Sequence, residues 1–337
     1  LEVGGTEGAA DVDARNFNPN FDDDITADLF LANQETIENA RLIDPAVVSP
    51  TFTRREADRD QFRFPDDLDV DRYVIDGEER AVVIAARELN LEGVRSGWEN
   101  QHVSFTHGYG LAIAPANEVD SQGEPEFVVG GLPTTIAPGI DVGLAEGEEF
   151  QPRIYVGEGL GGYAIVGTGR CEVDFPLQGA QTSTDGEAVD AEGAGNCSTQ
   201  QGSNQEFEYD GEDGVRAGGF FRRVAFALRF QDLNPLFSGL IDDESRFIYN
   251  RDVRQRASEL APFLDFDADS YPAIVDGRIV FIIDAYTTTS NYPYAQSADR
   301  SSLPSGSDLR VSFNYVRNSV KVVVDAYNGD VDFFVVD

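Results

Sequence analysis

At 337 residues, 41% of them apolar and 11% aromatic, the chain is long enough for one large globular core or two of ordinary size. Its 25 Lys and Arg stand against 61 Asp and Glu, a formal charge of −36. Such a surface repels the phosphates of nucleic acid and the headgroups of anionic membranes, which excludes both as expected partners, and it attracts counter-ions, calcium among them. No apolar run approaches the ~18 residues of a spanning helix. The chain begins at Leu1, lacks a signal peptide and contains no methionine, which reads as a processed product or an excerpt of a longer protein.

Residues 1–16 are small and acidic and read as a frayed tail. "ITADLFLANQETIENARLID" has helical spacing at Leu29, Ile37 and Ala40, with Thr26 as cap. "SPTFTRREADRD" predicts a helix starting at Ser49 with Pro50 in its first turn. "RYVIDGEERAVVIAARELN" is a pair of β-branched runs around Asp76-Gly77, a hairpin signal. "EFVVGGLPTT" and "RIYVGEGLGGYAIVGTG" read as further strands.

Cys171 and Cys197, the only cysteines, flank "EVDFPLQGAQTSTDGEAVDAEGAGN", which is poor in core residues. A disulfide pinning this loop fits an oxidising compartment; two buried thiols are the alternative. Beyond the loop, "GGFFRRVAFALRFQDL" places Phe220, Val224 and Leu228 on one helical face, with Phe221 and Ala225 beside them. "ESRFIYNRDVRQRASELAPFL" reads as a helix or helix pair with Phe247, Val253, Ala257 and Leu260 inward. "YPAIVDGRIVFIIDAY" is a second Asp-Gly hairpin, and "NSVKVVVDAYNGDVDFFVVD" a third, turning at Asn328-Gly329.

The two Asp-Gly hairpins are introduced alike, by a charged helix and an acidic corner. The unit reads as used twice. The expected class is therefore α+β: two hairpin-rich lobes related by internal duplication, with antiparallel or mixed sheets and flanking helices. The first lobe covers 17–170, the acidic loop 171–214 and the second lobe 215–337, and the lobes are free to form one continuous domain.

Each corner carries D-x-D-x-D: Asp67, Asp69 and Asp71 in one, Asp265, Asp267 and Asp269 in the other. Glu78 and Asp276 fall at the twelfth position, where a calcium loop places its bidentate carboxylate. Against calcium, the sixth position is Arg72 or Ser270 rather than glycine, and Pro272 favours extended chain. Alternating aspartates on a strand edge are the structural reading, and the one favoured. His102 and His107, five apart, share no face of a regular strand or helix, so only a bend joins them into a binding or metal site with nearby carboxylates. No H-E-x-x-H or G-x-S-x-G occurs. "GEGLGG" at 157–162 matches a dinucleotide fingerprint but precedes a strand-like run, so it reads as a glycine turn. No catalytic residue is selected, and no cofactor is required beyond calcium as a candidate ion.

In "RLIDPAVVSPTF", "THGYG", "GGFFRRVAFALRF", "YPAIVDGRIVFIIDAYTTTSNYPYAQ" and "NYVRNSVKVVVDAYNGDV", the chain resembles the uncharacterised family UPF 0182, large bacterial membrane proteins. The resemblance runs from about Asn16 to the end and leaves the Cys-flanked loop as an insertion. It implies a large extracytoplasmic region that follows a bundle of membrane helices, membrane contact through that missing bundle only, and no established activity. The expected function is a non-enzymatic extracytoplasmic domain, membrane-tethered or shed, that binds, scaffolds or assembles with itself or an envelope partner. The alternatives are a metal-dependent envelope hydrolase using His102 and His107, and a calcium-stabilised adhesion or scaffold module.

Overall fold

The computed structural model describes residues 31, 39–57, 60–94, 96–145, 147–176, 204–298, 309 and 312–336. The chain divides into two compact units, 1–40 and 41–337. Of the first, residues 31, 39 and 40 are described; Thr26 and most of the helix expected there lie outside the described residues, as does Cys197.

The second unit is α+β and strand-rich, with antiparallel pairing throughout its named strands. Both Asp-Gly hairpins form as read. Strand Asp69–Ile75 pairs with Glu78–Ala86, and Asp265–Val275 with Arg278–Thr289. Both central turn residues have positive φ in each case, 53° and 84° at Asp76 and Gly77, 49° and 69° at Asp276 and Gly277. That is the primed turn whose twist matches the flanking strands, and Asp-Gly tolerates it best. A longer turn, residues 326–330 with positive φ at Gly329, joins Tyr315–Asp325 to Val331–Val335 and completes a four-stranded meander.

The first hairpin extends through Leu111–Pro115, Val129–Gly130 and Thr135–Ile136 into a five-stranded sheet. Its two faces serve different cores. Val82, Ile84, Leu111 and Ile113 pack into the main cluster with Phe281, Ile283, Val322 and Val324 of the meander. Val83, Ala85, Ala112 and Ala114 point the other way, toward Phe52, Phe62 and Phe64. Period-two alternation thus assigns large side chains to one side and alanines to the side where aromatic rings must fit. One core therefore joins both halves of the sequence. The Tyr73 hydroxyl accepts from the Ile274 N–H at 2.8 Å, and the 139–151 segment receives both turns: Asp76 N–H donates to Gly139 and Gln151 N–H to Gly277, each at 2.9 Å.

Several expectations are corrected. Helix α1, Pro45–Phe52, starts earlier than predicted, because the Asp44 carboxylate accepts from the Ala46 N–H and Pro45 supplies the proline of the first turn. Ser49 and Pro50 sit inside it, and a π-turn, Thr53–Ala57, follows. Arg246–Tyr249, expected as helix, is a strand between Tyr163–Val166 and Val215–Arg216, since the three aromatic and β-branched residues Phe247, Ile248 and Tyr249 take the form their neighbours offer. The helix that does form there, Val253–Leu260, buries Val253 and Ala257 but leaves Leu260 exposed. Helix α2, Phe220–Phe230, has the predicted period, and the face that carries Phe220, Phe221 and Leu228 is turned outward while Phe226 and Ala227 are buried. Finally, the 171–214 segment begins and ends as paired strands, Glu172–Pro176 and Asn204–Phe207, so its first residues belong to the core.

Candidate functional site

The densest set of chemistry-bearing side chains lies inside the unit, around His107. Glu172 and Asp174 are both buried and both reach His107, Asp174 from the break in register between Val173 and Phe175. His107 Nε2 lies 3.0 Å from Asp174 Oδ1, and its Nδ1 lies 3.5 Å from Glu172 Oε2 and 2.9 Å from the Thr106 hydroxyl. Thr106 and Tyr155 donate to Glu172, the latter at 2.7 Å, and the Tyr209 N–H adds a third bond at 3.2 Å. Arg153 holds Asp174 with two bonds of 2.7 Å while its guanidinium lies over the Phe207 ring, 3.4 Å from the centroid. Buried Arg251 donates to the Tyr155 carbonyl at 2.8 Å and to the Thr106 carbonyl. The hydroxyl–imidazole–carboxylate order of Thr106, His107 and Asp174 is that of a nucleophile relay. Thr106 is fully buried, however, and its hydroxyl is committed to Glu172, so no substrate reaches it.

Electrostatics follow from that enclosure. Burial opposes a charge on His107, but Asp174 and Glu172 outweigh it and raise its pKa. Against its burial, His107 and Arg153 hold the Asp174 carboxyl low. A charge cluster of this kind is stable only while every member is bonded.

His102 keeps different company. Its ring stacks on Tyr163 with centroids 4.1 Å apart, and Nδ1 lies 2.8 Å from the Tyr163 carbonyl oxygen. Burial lowers its pKa despite that bond. Among the described residues the two histidines share no hydrogen-bond partner, so the bend at 105–108 does not assemble them into one site. With only two imidazoles in the chain, an NMR titration reads them separately. We expect one to titrate below 6.5 and His107 above it; the reverse order contradicts the partners described here.

The acidic corners, by contrast, come together. Asp69 opens its strand at the hairpin end opposite the turn, and Asp267 and Asp269 lie where the second ladder breaks between Phe266 and Ser270. Asp67, Asp71 and Asp269 all raise the pKa of Asp69, after burial itself, to about 8. Glu158, bonded by the Ser270 hydroxyl at 2.7 Å, is raised by burial, then by Asp69, Glu88 and Asp269. The remaining acids are tied elsewhere: Tyr286 donates to Asp267 and Thr288 to Asp265. Glu78 and Asp276 lie at the two turns, roughly 13 Å or more along the strands from Asp71 and Asp269, the nearest corner aspartates, and so out of reach of the residues they were paired with. No group of three or more His, Cys, Asp or Glu among the described residues is arranged to hold a metal ion.

Glu158 belongs to the Gly157–Gly162 turn, which a strand, Tyr163–Val166, follows as read. Glu88 accepts the Glu158 and Gly159 N–H groups at 2.5 and 2.8 Å, and a Cβ at Gly157 would come within 2.2 Å of its carboxylate, so the glycine is required. Shallow cavities of about 320 and 510 Å³ flank the turn, lined by Arg229, Asn250, Arg254 and Gln255 among others.

Sequence reasoning missed Thr106, Arg153, Glu172, Asp174 and Arg251. The available signal was "EVDF", an acidic residue alternating with apolar ones beside a cysteine, which is strand patterning inside a stretch otherwise read as loop.

The fold and site define an antiparallel α+β domain whose reactive side chains are gathered in its interior. The chain belongs to the uncharacterised protein family UPF0182, whose family model matches residues 8–337. UPF0182 proteins of Kineococcus radiotolerans and Rhodococcus opacus are each 40% identical, over 90% and 91% of this chain but 28% and 31% of their own lengths. One from Streptomyces coelicolor is 38% identical over 88% of the chain and 28% of its own. The chain thus spans about three tenths of the length of these relatives. No solved structure matches it.

Proposed function

We propose that the chain is a non-enzymatic extracytoplasmic domain of a bacterial cell-envelope membrane protein, serving in binding, scaffolding or assembly. The observation that carries this reading is where the reactive groups lie: Thr106, His107, Glu172 and Asp174 satisfy one another out of contact with solvent. A metal-dependent hydrolase built on His102 and His107 needs the two rings to share a ligand, and their partners differ. The outer strand Val331–Val335 of the meander leaves Phe334 and Val335 exposed, an edge of the kind that accepts another strand. The location rests on the acidic composition, the family resemblance and a Cys171–Cys197 pairing suited to an oxidising compartment. The paired Asp-Gly hairpins, which share turn geometry and acidic corners, support an internal duplication.

A calcium-stabilised scaffold is the second reading, favoured by the meeting of Asp69, Asp269 and Glu158. Treating intact cells that make the full-length protein with trypsin tests the location. Cleavage within this region while a cytoplasmic marker survives is expected; protection until lysis contradicts it. Turnover of ester, phosphate or peptide substrates that disappears in His102→Ala would overturn the non-enzymatic reading.

A further inference from the structure

Helix α2 presents a continuous apolar face to solvent in a chain of net charge −36. At 100° per residue, Phe220, Val224, Leu228, Phe221 and Ala225 span one continuous arc of about 140°. Phe220 is 67% exposed, Phe221 86% and Leu228 74%, and just past the helix Phe237 is 82% exposed. Solitary exposed apolar residues need no explanation, but a contiguous arc of this size marks a contact surface. The inner face accounts for the stability of the helix, because Phe226 and Phe230 stack on Phe247 at 4.0 and 6.2 Å between centroids. The outer phenylalanines are not needed to hold it.

Charge selects the partner. From Val215 to Ser238 the chain has four arginines and one aspartate, a local +3 within a total of −36. Glu244 and Asp243 pair with Arg216 and Arg223. Arg222 and Arg229, which flank the apolar arc on one side, bond instead to the Arg216 carbonyl and the Asn250 side-chain oxygen. A second copy seated face to face on this surface would set the same arginines against one another. A surface of negative headgroups over hydrocarbon matches both features of this face, since arginine stems lie along apolar surface while their heads reach phosphate.

We propose that this face seats on an anionic lipid surface, with Phe220, Phe221 and Leu228 entering the boundary between headgroups and acyl chains and Arg222 and Arg229 meeting lipid phosphates. The net-charge argument against anionic membranes describes the average surface, and this patch departs from it. The proposal stands without the extracytoplasmic reading, because either leaflet supplies anionic headgroups.

Flotation of the full chain with vesicles of phosphatidylcholine alone, or with about one third phosphatidylglycerol, tests it. Wild type should float with the anionic vesicles and stay behind with the neutral ones, and the binding should weaken as salt rises. The pair Phe221→Ser and Leu228→Ser should lower partitioning by about tenfold or more. The pair Arg222→Glu and Arg229→Glu should do the same without changing the melting curve. No flotation of wild type, or equal flotation of all three proteins, overturns the proposal. So does concentration-dependent self-association lost in the Phe221 and Leu228 pair without any vesicle binding, which would make the face a contact between copies.

Discussion

Arg251→Ala should cost about 3–5 kcal/mol of stability, the largest effect expected of any single substitution outside the apolar core. The guanidinium is 1% exposed and bonds the carbonyls of Thr106 and Tyr155, which belong to different stretches of chain. Its own backbone carbonyl accepts the Gly157 N–H at 2.9 Å, tying the same residue to the glycine turn. Burial lowers its pKa to about 10, yet Tyr155, Glu88 and Glu172 still favour the cation, so it remains charged at neutral pH. Removing the side chain leaves two buried carbonyls without a donor and takes a balancing charge from Glu88 and Glu172. Arg251→Lys keeps the charge but replaces the planar fork with a single ammonium, and should cost less than the alanine change. Denaturant unfolding monitored by tryptophan fluorescence reads both; a loss under about 1 kcal/mol for the alanine variant would contradict the bracing role.

The second large effect has the opposite sign. Asp69→Asn should stabilise the protein at neutral pH, by about 2 kcal/mol at pH 7.5 once the solvent that screens the partly exposed Asp69 is allowed for. Burial, then Asp269, Asp67 and Asp71, raise the pKa of Asp69 from the ordinary 3.8 to about 8. Between those values the folded state holds a proton that the unfolded chain has released. Its contribution to stability is therefore complete below pH ~4 and is lost as pH rises to ~8. Glu158, Asp71 and Asp269, all raised with burial as the largest cause, add to the same slope. Asparagine keeps the shape and removes the charge, so the variant's advantage should shrink to nothing near pH 4 and its stability should fall less steeply with pH. Equal slopes for the two proteins would show that Asp69 ionises freely.

What the sequence made legible was local. The Asp-Gly turns declare themselves in two residues, because positive φ at both positions suits few other pairs. The period of the Phe220–Phe230 helix was equally readable. Its orientation was not, since it depends on Phe247 and Tyr163, whose strands pair only in the folded chain. The buried polar cluster escaped for the same reason. Thr106 and Glu172 are 66 residues apart and Arg251 lies 145 from Thr106, so no spacing rule connects them. The repeated acidic phrase was visible twice, but that its copies face each other follows only from the packing of one hairpin on the other through Tyr73 and Ile274.

Thermal melts decide whether that phrase is a joint between hairpins or a cation site. Wild type and Asp69→Asn are compared at pH 7.5, in EDTA and in millimolar calcium, with ionic strength matched by sodium chloride. A joint predicts a higher Tm for the variant in EDTA and no calcium shift in wild type beyond the salt control. A bound ion stabilises the native state in proportion to its occupancy. A clear calcium-dependent rise in wild type, lost in Asp69→Asn, would contradict the joint and make the acidic corners the functional site.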